Sequence, residues 1–148
     1  MLSKTSVVIK GKQRIKCIIF DFDGTLFGET IFPNAEVLLK QIHDLNVKQA
    51  LATFNPHVQF FCDRYGISQY FEKVCSGRRR DYKLSYVKQI IQHFNVTGFA
   101  LQEDECLFVD DNIDNIREIS KATKVNCIKV ESKEGIKKEH LEIYLQLP

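Results

Sequence analysis

The sequence carries almost no excess charge, with 21 Lys and Arg against 19 Asp and Glu for a net of +2. So balanced a chain is not built to hold nucleic acid or an anionic membrane by bulk attraction. Its one basic run, Arg78-Arg79-Arg80, reads as a solvated face or, more sharply, as an anion-binding lip. No apolar run approaches the roughly 18–20 residues a membrane span needs. Residues 1–14 mix charges with a few aliphatics and lack the apolar core of a signal peptide. There is no C-x-x-C pair among Cys17, Cys62, Cys75, Cys106 and Cys127, and five thiols cannot all pair with one another. Cys17, Cys106 and Cys127 lie in apolar runs, where cysteine acts as a small hydrophobe. These absences predict a soluble protein of a reducing, cytoplasmic compartment.

Two catalytic motifs are missing as well. No G-x-x-x-x-G-K-[ST] occurs, which excludes a P-loop nucleotide hydrolase. A cysteine phosphatase needs Cys, five residues, then Arg, but Asp81 stands at that place after Cys75 and Ser68 after Cys62. No repeat, low-complexity stretch or linker divides the chain, and 148 residues suit one domain over 1–148.

What is present is an alternation. Residues 15–20 form a short apolar run of the kind covered on both faces, ending abruptly at Asp21. Val7-Val8-Ile9 ahead of Lys10-Gly11-Lys12 suggests an extra strand and turn, an edge hairpin. A helix is expected from Asn34 as N-cap to about Asn46, with Leu38, Ile42 and Leu45 as its apolar stripe. A strand follows at 47–53. Asn55-Pro56 then reads as an N-cap with proline at the first helical position, and Gly66 as the stop. Further strands are expected at 71–75, 106–109 and 125–130, helices at 84–94 and around Ile113, Ile116 and Ile119, and a helical tail over 133–147. Strand and helix in strict alternation predict an α/β fold: a Rossmann-like open parallel sheet with helices on both faces.

In such sheets reactive groups gather beyond the carboxyl ends of the strands. Asp21 and Asp23, Thr53 with Phe54 and Asn55, and Asp110 with Asp111 all fall at such ends, and Lys83 opens a helix. Several carboxylates brought together repel unless a cation sits among them, and an all-oxygen cluster suits Mg²⁺. Lys83 and Thr53 add donors for an anion. Together these pieces point to phosphoryl chemistry. His57 is a further pocket-lining candidate, though a surface histidine is the simpler reading.

Laid out in order, Asp21-Phe22-Asp23-Gly24-Thr25, Thr53, Lys83 (rather than Arg80) and Phe108-Val109-Asp110-Asp111 resemble the four motifs of the haloacid dehalogenase superfamily, from about Ile15 to Val130. The resemblance implies that Asp21 attacks phosphorus to form an aspartyl-phosphate, and that Asp23 serves as general acid and then base. It implies a Mg²⁺ ion held by the Asp21 and Asp110 side chains and the Asp23 backbone carbonyl, with Asp111 joining through water or orienting the site. It implies phosphate binding by Thr53, Phe54, Asn55 and Lys83, with Gly24 and Thr25 in a tight turn that aims N–H groups at the phosphate. An aspartate at 23 favours phosphate esters over dehalogenation.

The segments from Asp23 to Thr53 and from Thr53 to Lys83 are each filled by expected helices and strands. Neither has room for a cap domain; only residues 27–33 are left for a loop or small flap. An open site admits a phosphorylated macromolecule, such as a phosphoprotein, or a small phosphorylated molecule if a partner subunit covers it. Residues 83–130 most resemble the magnesium-dependent phosphatase subgroup, which is linked to protein phosphotyrosine and to phosphorylated sugars or sugar adducts. The sequence differs from that subgroup at Gly24, where a bulkier residue is usual. Two other functions compete: a non-catalytic, phospho-accepting, Mg²⁺-binding signalling module, and a nucleic-acid 3′-phosphatase. The order of the aspartates opposes the first, and the near-neutral charge opposes the second.

Overall fold

The computed structural model describes residues 7–8, 14–77 and 83–148. The basic run Arg78-Arg79-Arg80 and the expected turn at Lys10-Gly11-Lys12 lie outside them. Six strands and five helices follow one another: β1 (Val7–Val8), β2 (Cys17–Phe20), α1 (Pro33–Asp44), β3 (Lys48–Thr53), α2 (Val58–Arg64), β4 (Lys73–Ser76), α3 (Lys83–Val96), β5 (Cys106–Asp110), α4 (Ile113–Ala122), β6 (Asn126–Lys129) and α5 (Lys138–Leu141). They build one sheet in the order β1-β6-β5-β2-β3-β4.

β2 through β6 are parallel, while β1 runs antiparallel against β6, with Val7 opposite Ile128. The expected hairpin is therefore corrected. β1 does not fold back on β2 but adds to the far edge of the sheet, and the sheet is parallel in all but that strand.

The apolar run of β2 is continuous because both of its faces are covered. Ile18 and Phe20 enter one core with Leu38, Leu39 and Ile42 of α1, while Cys17 and Ile19 enter a second with Val87, Ile90 and Phe94 of α3. All five cysteines are buried thiols.

Three expected element ends move. α1 begins at Pro33, and its N-cap is Phe32, not Asn34. Proline lacks an N–H and so fits the first helical position, which shifts the cap to the residue before it. α2 begins at Val58; Asn55 instead starts a turn, its Oδ1 accepting from His57 N–H at 2.8 Å. The tail is not one long helix but the four residues of α5, because Gly135 at φ +70° turns the chain just before it. Gly66, by contrast, stops α2 as expected. It has φ +68°, and Gly66 and Ile67 N–H bond back to the Asp63 and Cys62 carbonyls.

Register decides where the site lies. Phe20 pairs with Val109 on one side and Leu51 on the other, so β2, β5 and β3 end together. The chain runs outward from β2 to β3 and β4, then crosses back to place β5 on the other flank of β2. β2 is thus the point where strand order reverses, and the ends of β2 and β5 flank a crevice there. No helix among the described residues is long and apolar enough to cross a membrane.

Candidate active site

The crevice is a cavity of about 530 Å³ lined by Asp21, Asp23, Thr53, Phe54, Asn55, Pro56, Lys83, Asp110, Asp111, Asn112 and Asn115. At its floor, Lys83 Nζ lies 2.7 Å from Asp21 Oδ1 and 2.9 Å from Asp110 Oδ2, and all three side chains are buried. Lys83 is the first residue of α3, so the helix start fixes where its stem enters the core. Its ammonium lies 5.0 Å from the Phe54 ring centroid. Burial alone would lower the pKa of this ammonium, but the facing Asp21 and Asp110 carboxylates outweigh it and hold the value above its ordinary range.

Asp21 is held at both oxygens. While Oδ1 takes the lysine, Oδ2 accepts from Thr25 Oγ1 at 3.2 Å. The loop after it is knotted onto one acceptor, the Phe22 carbonyl, which receives the N–H groups of Thr25, Leu26 and Phe27. Asp110 is held in the same way. Its Oδ1 accepts from Asn112 N–H at 2.9 Å and its Oδ2 from Asn115 Nδ2 at 3.0 Å. Asn112 also caps α4, with its Oδ1 accepting from Asp114 and Asn115 N–H.

Carboxylate oxygens of Asp21, Asp110 and Asp111 lie within 4.8 Å of one another. Burial first, then the Asp110 charge, pushes the Asp21 carboxyl well above the usual carboxylate range despite Lys83. Burial and a contact with Asp110 likewise raise Asp111. One ammonium set against three crowded carboxylates leaves an excess of negative charge. That donor set, all oxygen and under-compensated, fits a hard divalent cation.

Asp23 stands apart from this cluster. Its side chain is exposed at the cavity wall and is not among the three grouped carboxylates. Gly24 and Thr25 lie behind the cavity rather than in its lining. The Gly24 N–H itself is taken up within the turn, donating to the Phe27 carbonyl at 2.8 Å. What Gly24 supplies is space. At φ +80°, a Cβ here would collide with the Asp111 carboxylate, its Cγ only 2.7 Å away. Gly24 thereby lets Asp111 join Asp21 and Asp110.

Thr53 is buried at the end of β3, and its Oγ1 accepts from Asn55 N–H at 3.1 Å, so its own proton remains to be donated. His57 is exposed and outside the lining of this cavity. Asn112, Asn115 and Pro56 were not among the sequence candidates. Their available signal was position: Asn112 and Asn115 follow Asp110 at the start of a helix, where the first turn faces the strand end.

No protein-family model matches the sequence, and no curated protein sequence matches it. Solved structures do match the fold. A haloacid dehalogenase-like family hydrolase from Streptococcus pneumoniae superposes with a TM-score of 0.66 at 13% identity, covering 88% of this chain and 90% of that one. The chain has the haloacid dehalogenase fold. A Clostridium difficile protein provisionally assigned as a phosphatase gives 0.71 at 15% identity, over 90% of this chain and 92% of that one. The phosphatase domain of a Bacteroides fragilis protein, complexed with Mg, gives 0.71 at 13% identity. This chain spans 42% of that Bacteroides chain and is itself covered over 93%. As in the sequence expectation, no cap domain is inserted among the described residues. A loop, α1 and β3 account for the chain from Asp23 to Thr53, and α2, a short 3₁₀ turn and β4 account for the described residues between Thr53 and Lys83.

Proposed function

We propose that the protein is a phosphoric monoester hydrolase of the haloacid dehalogenase type, a single domain that uses Asp21 as nucleophile. The observation that carries this reading is the paired restraint of Asp21. Lys83 and Thr25 hold its two oxygens at the floor of an open cavity, beside two further carboxylates. A structural turn does not need a buried lysine bridging two strand ends, whereas a nucleophile that must be aimed does.

In the first step an Asp21 oxygen forms a bond to phosphorus as the ester P–O bond breaks. The leaving oxygen takes a proton from Asp23, whose exposed side chain on the cavity wall can reach a departing group. In the second step Asp23, now a carboxylate, takes a proton from water as that water attacks phosphorus. The Asp21–phosphorus bond breaks and inorganic phosphate leaves. Lys83, Thr53 and Asn55 donate to the phosphoryl oxygens, where the charge of the transition state develops.

The cation that fits this cluster is Mg²⁺, which Asp21, Asp110 and Asp111 would hold together with the Asp23 backbone carbonyl. It would supply Lewis-acid neutralisation of the phosphoryl charge. The Mg bound by the Bacteroides domain supports that choice. The uncapped site supports a phosphoprotein or a sugar phosphate as substrate, and the five buried thiols support a reducing, cytoplasmic setting.

Purified protein should hydrolyse a generic aryl phosphate in Mg²⁺ and stop in EDTA. Asp21→Asn should lower kcat by about three orders of magnitude or more while the far-UV spectrum is unchanged. Turnover retained in Asp21→Asn would rule out the nucleophile. A panel of phosphopeptides, sugar phosphates and 3′-phosphorylated oligonucleotides then ranks the substrate classes by kcat/KM.

A further inference from the structure

The chain does not leave the site when it leaves β6. Val130 N–H donates to the Asp110 carbonyl at 2.9 Å, and Ile136 N–H donates to the Thr25 carbonyl at 2.8 Å. Val130 N–H thus completes the β5–β6 ladder at Asp110, and residues 130–136 run on from it to the backbone of the loop that follows Asp21. One end grips a cluster carboxylate residue directly. The other grips Thr25, whose hydroxyl holds Asp21. Val130, Ile136 and Thr25 are all fully buried.

Between the two ends the chain is turned tightly. Glu134 and Gly135 N–H both return to the Glu131 carbonyl, at 3.1 and 2.8 Å, and Lys137 pairs with Glu134 on the outside of the turn. Gly135 takes φ +70° and is packed against the nucleophile loop. A Cβ there would collide with Phe32 Cδ2 and lie 2.6 Å from the Thr25 carbonyl oxygen. Gly66 and Gly98 have similar positive φ, yet a Cβ on either would meet nothing within 4 Å. Backbone conformation alone thus does not account for Gly135; the approach to the Phe32 ring and to the Thr25 backbone does.

We propose that residues 130–136 are a positioning strap that, on a β2–β5 frame already joined by the Asp21 N–H to the Val109 carbonyl, seats Thr25 against Asp21 and so sets how its carboxylate faces Asp110. The strap thereby sets both the affinity of the cluster for a divalent cation and the aim of the nucleophile. Gly135 and Ile136 touch no reacting atom and act through Thr25. This inference rests on reading the cluster as a metal-assisted phosphoryl-transfer site.

Gly135→Ala tests it, with Gly66→Ala as a matched control, because each adds one methyl at positive φ but only the first presses on Thr25. The first readout needs no turnover: the Mg²⁺ concentration that gives half of the maximal rise in melting temperature. Gly66→Ala should melt earlier than wild type but keep its Mg²⁺ midpoint and kcat. Gly135→Ala should need about ten-fold more Mg²⁺, as loss of groups that orient metal ligands commonly does. At saturating Mg²⁺ its kcat on an aryl phosphate should fall while KM stays the same. Equal Mg²⁺ midpoints for the two variants would overturn the strap and leave the site reading standing. A wild-type melting temperature that ignores Mg²⁺ would instead defeat the metal reading, and the strap with it. If Gly135→Ala does not fold, amide hydrogen exchange on the wild type decides. Mg²⁺ should raise the protection of Ile136 N–H but not that of Ile67 N–H beside Gly66, and an equal change at both sites overturns the proposal.

Discussion

Lys83 has the most consequential environment of any single residue, a buried ammonium shared between carboxylates from two strands. Removing one partner of a buried pair leaves uncompensated charge, and typically costs about 3–5 kcal/mol. Lys83→Met should therefore destabilise the metal-free protein by an amount of that order in urea denaturation, and added Mg²⁺ should recover part of it. Asp21 gives a pH signature whose sign is fixed. Its folded pKa is raised, so the folded state binds this proton more tightly than the unfolded chain does. Its contribution to stability is present below the unfolded value of about 3.9 and is lost as pH rises through the folded one. The stability of metal-free wild type relative to Asp21→Asn should thus decline as pH rises across that window. A difference that rises with pH would contradict the raised pKa. Gly24→Ala is strained at φ +80° and also presses its methyl on the Asp111 carboxylate. The Mg²⁺ midpoint of that variant should move upward with little change in the apparent affinity for an aryl phosphate.

At the scale of elements, α3 and α4 reach the site through their first residues. α3 delivers Lys83, and the Leu84 N–H behind it is held by Glu118 of α4 at 3.2 Å. α4 delivers Asn115, oriented by the Asn112 cap. Asn112→Ala should cost about 1 kcal/mol of stability by loss of the cap. It should also lower kcat, since the first turn of α4 then frays beside Asp110; circular dichroism melting and steady-state kinetics read the two effects separately. α2 shows how function displaces a start signal. The Asn55-Pro56 pair that announces a helix in sequence is used for a turn, which leaves Asn55 in the cavity wall and delays the helix to Val58.

For the whole molecule, the sheet separates two cores that scarcely share side chains, one under α1 and α2 and one under α3 and α4. Ile42→Val and Ile90→Val, one in each core, should each cost about 0.5–1.5 kcal/mol. Their double variant should be additive to within about 0.5 kcal/mol, because the sites lie on opposite sides of the sheet. A larger coupling in the double-mutant cycle would mean that the sheet transmits strain between its faces. The same layering explains the open site. Among the described residues, α1 and β3, then α2 and β4, take up most of the chain between the motifs, and each is packed into one of the two cores or the sheet.

The sequence by itself determined what local pattern can encode. Unbroken apolar runs marked strands covered on both faces, an apolar stripe at helical spacing marked the helices, and abrupt polar residues at run ends marked Asp21, Thr53 and Asp110. The tertiary structure decided what depends on contacts between distant segments. It set β1 against β6 rather than β2, gave Asp111 the space that Gly24 vacates, and bound Asn115 to Asp110. It also turned the expected tail helix into a segment reaching from Asp110 to Thr25. These contacts leave no periodic trace, because each is made across the fold by residues whose sequence neighbours do not share it. Their geometry exists only once strand register has brought the ends of β2 and β5 side by side.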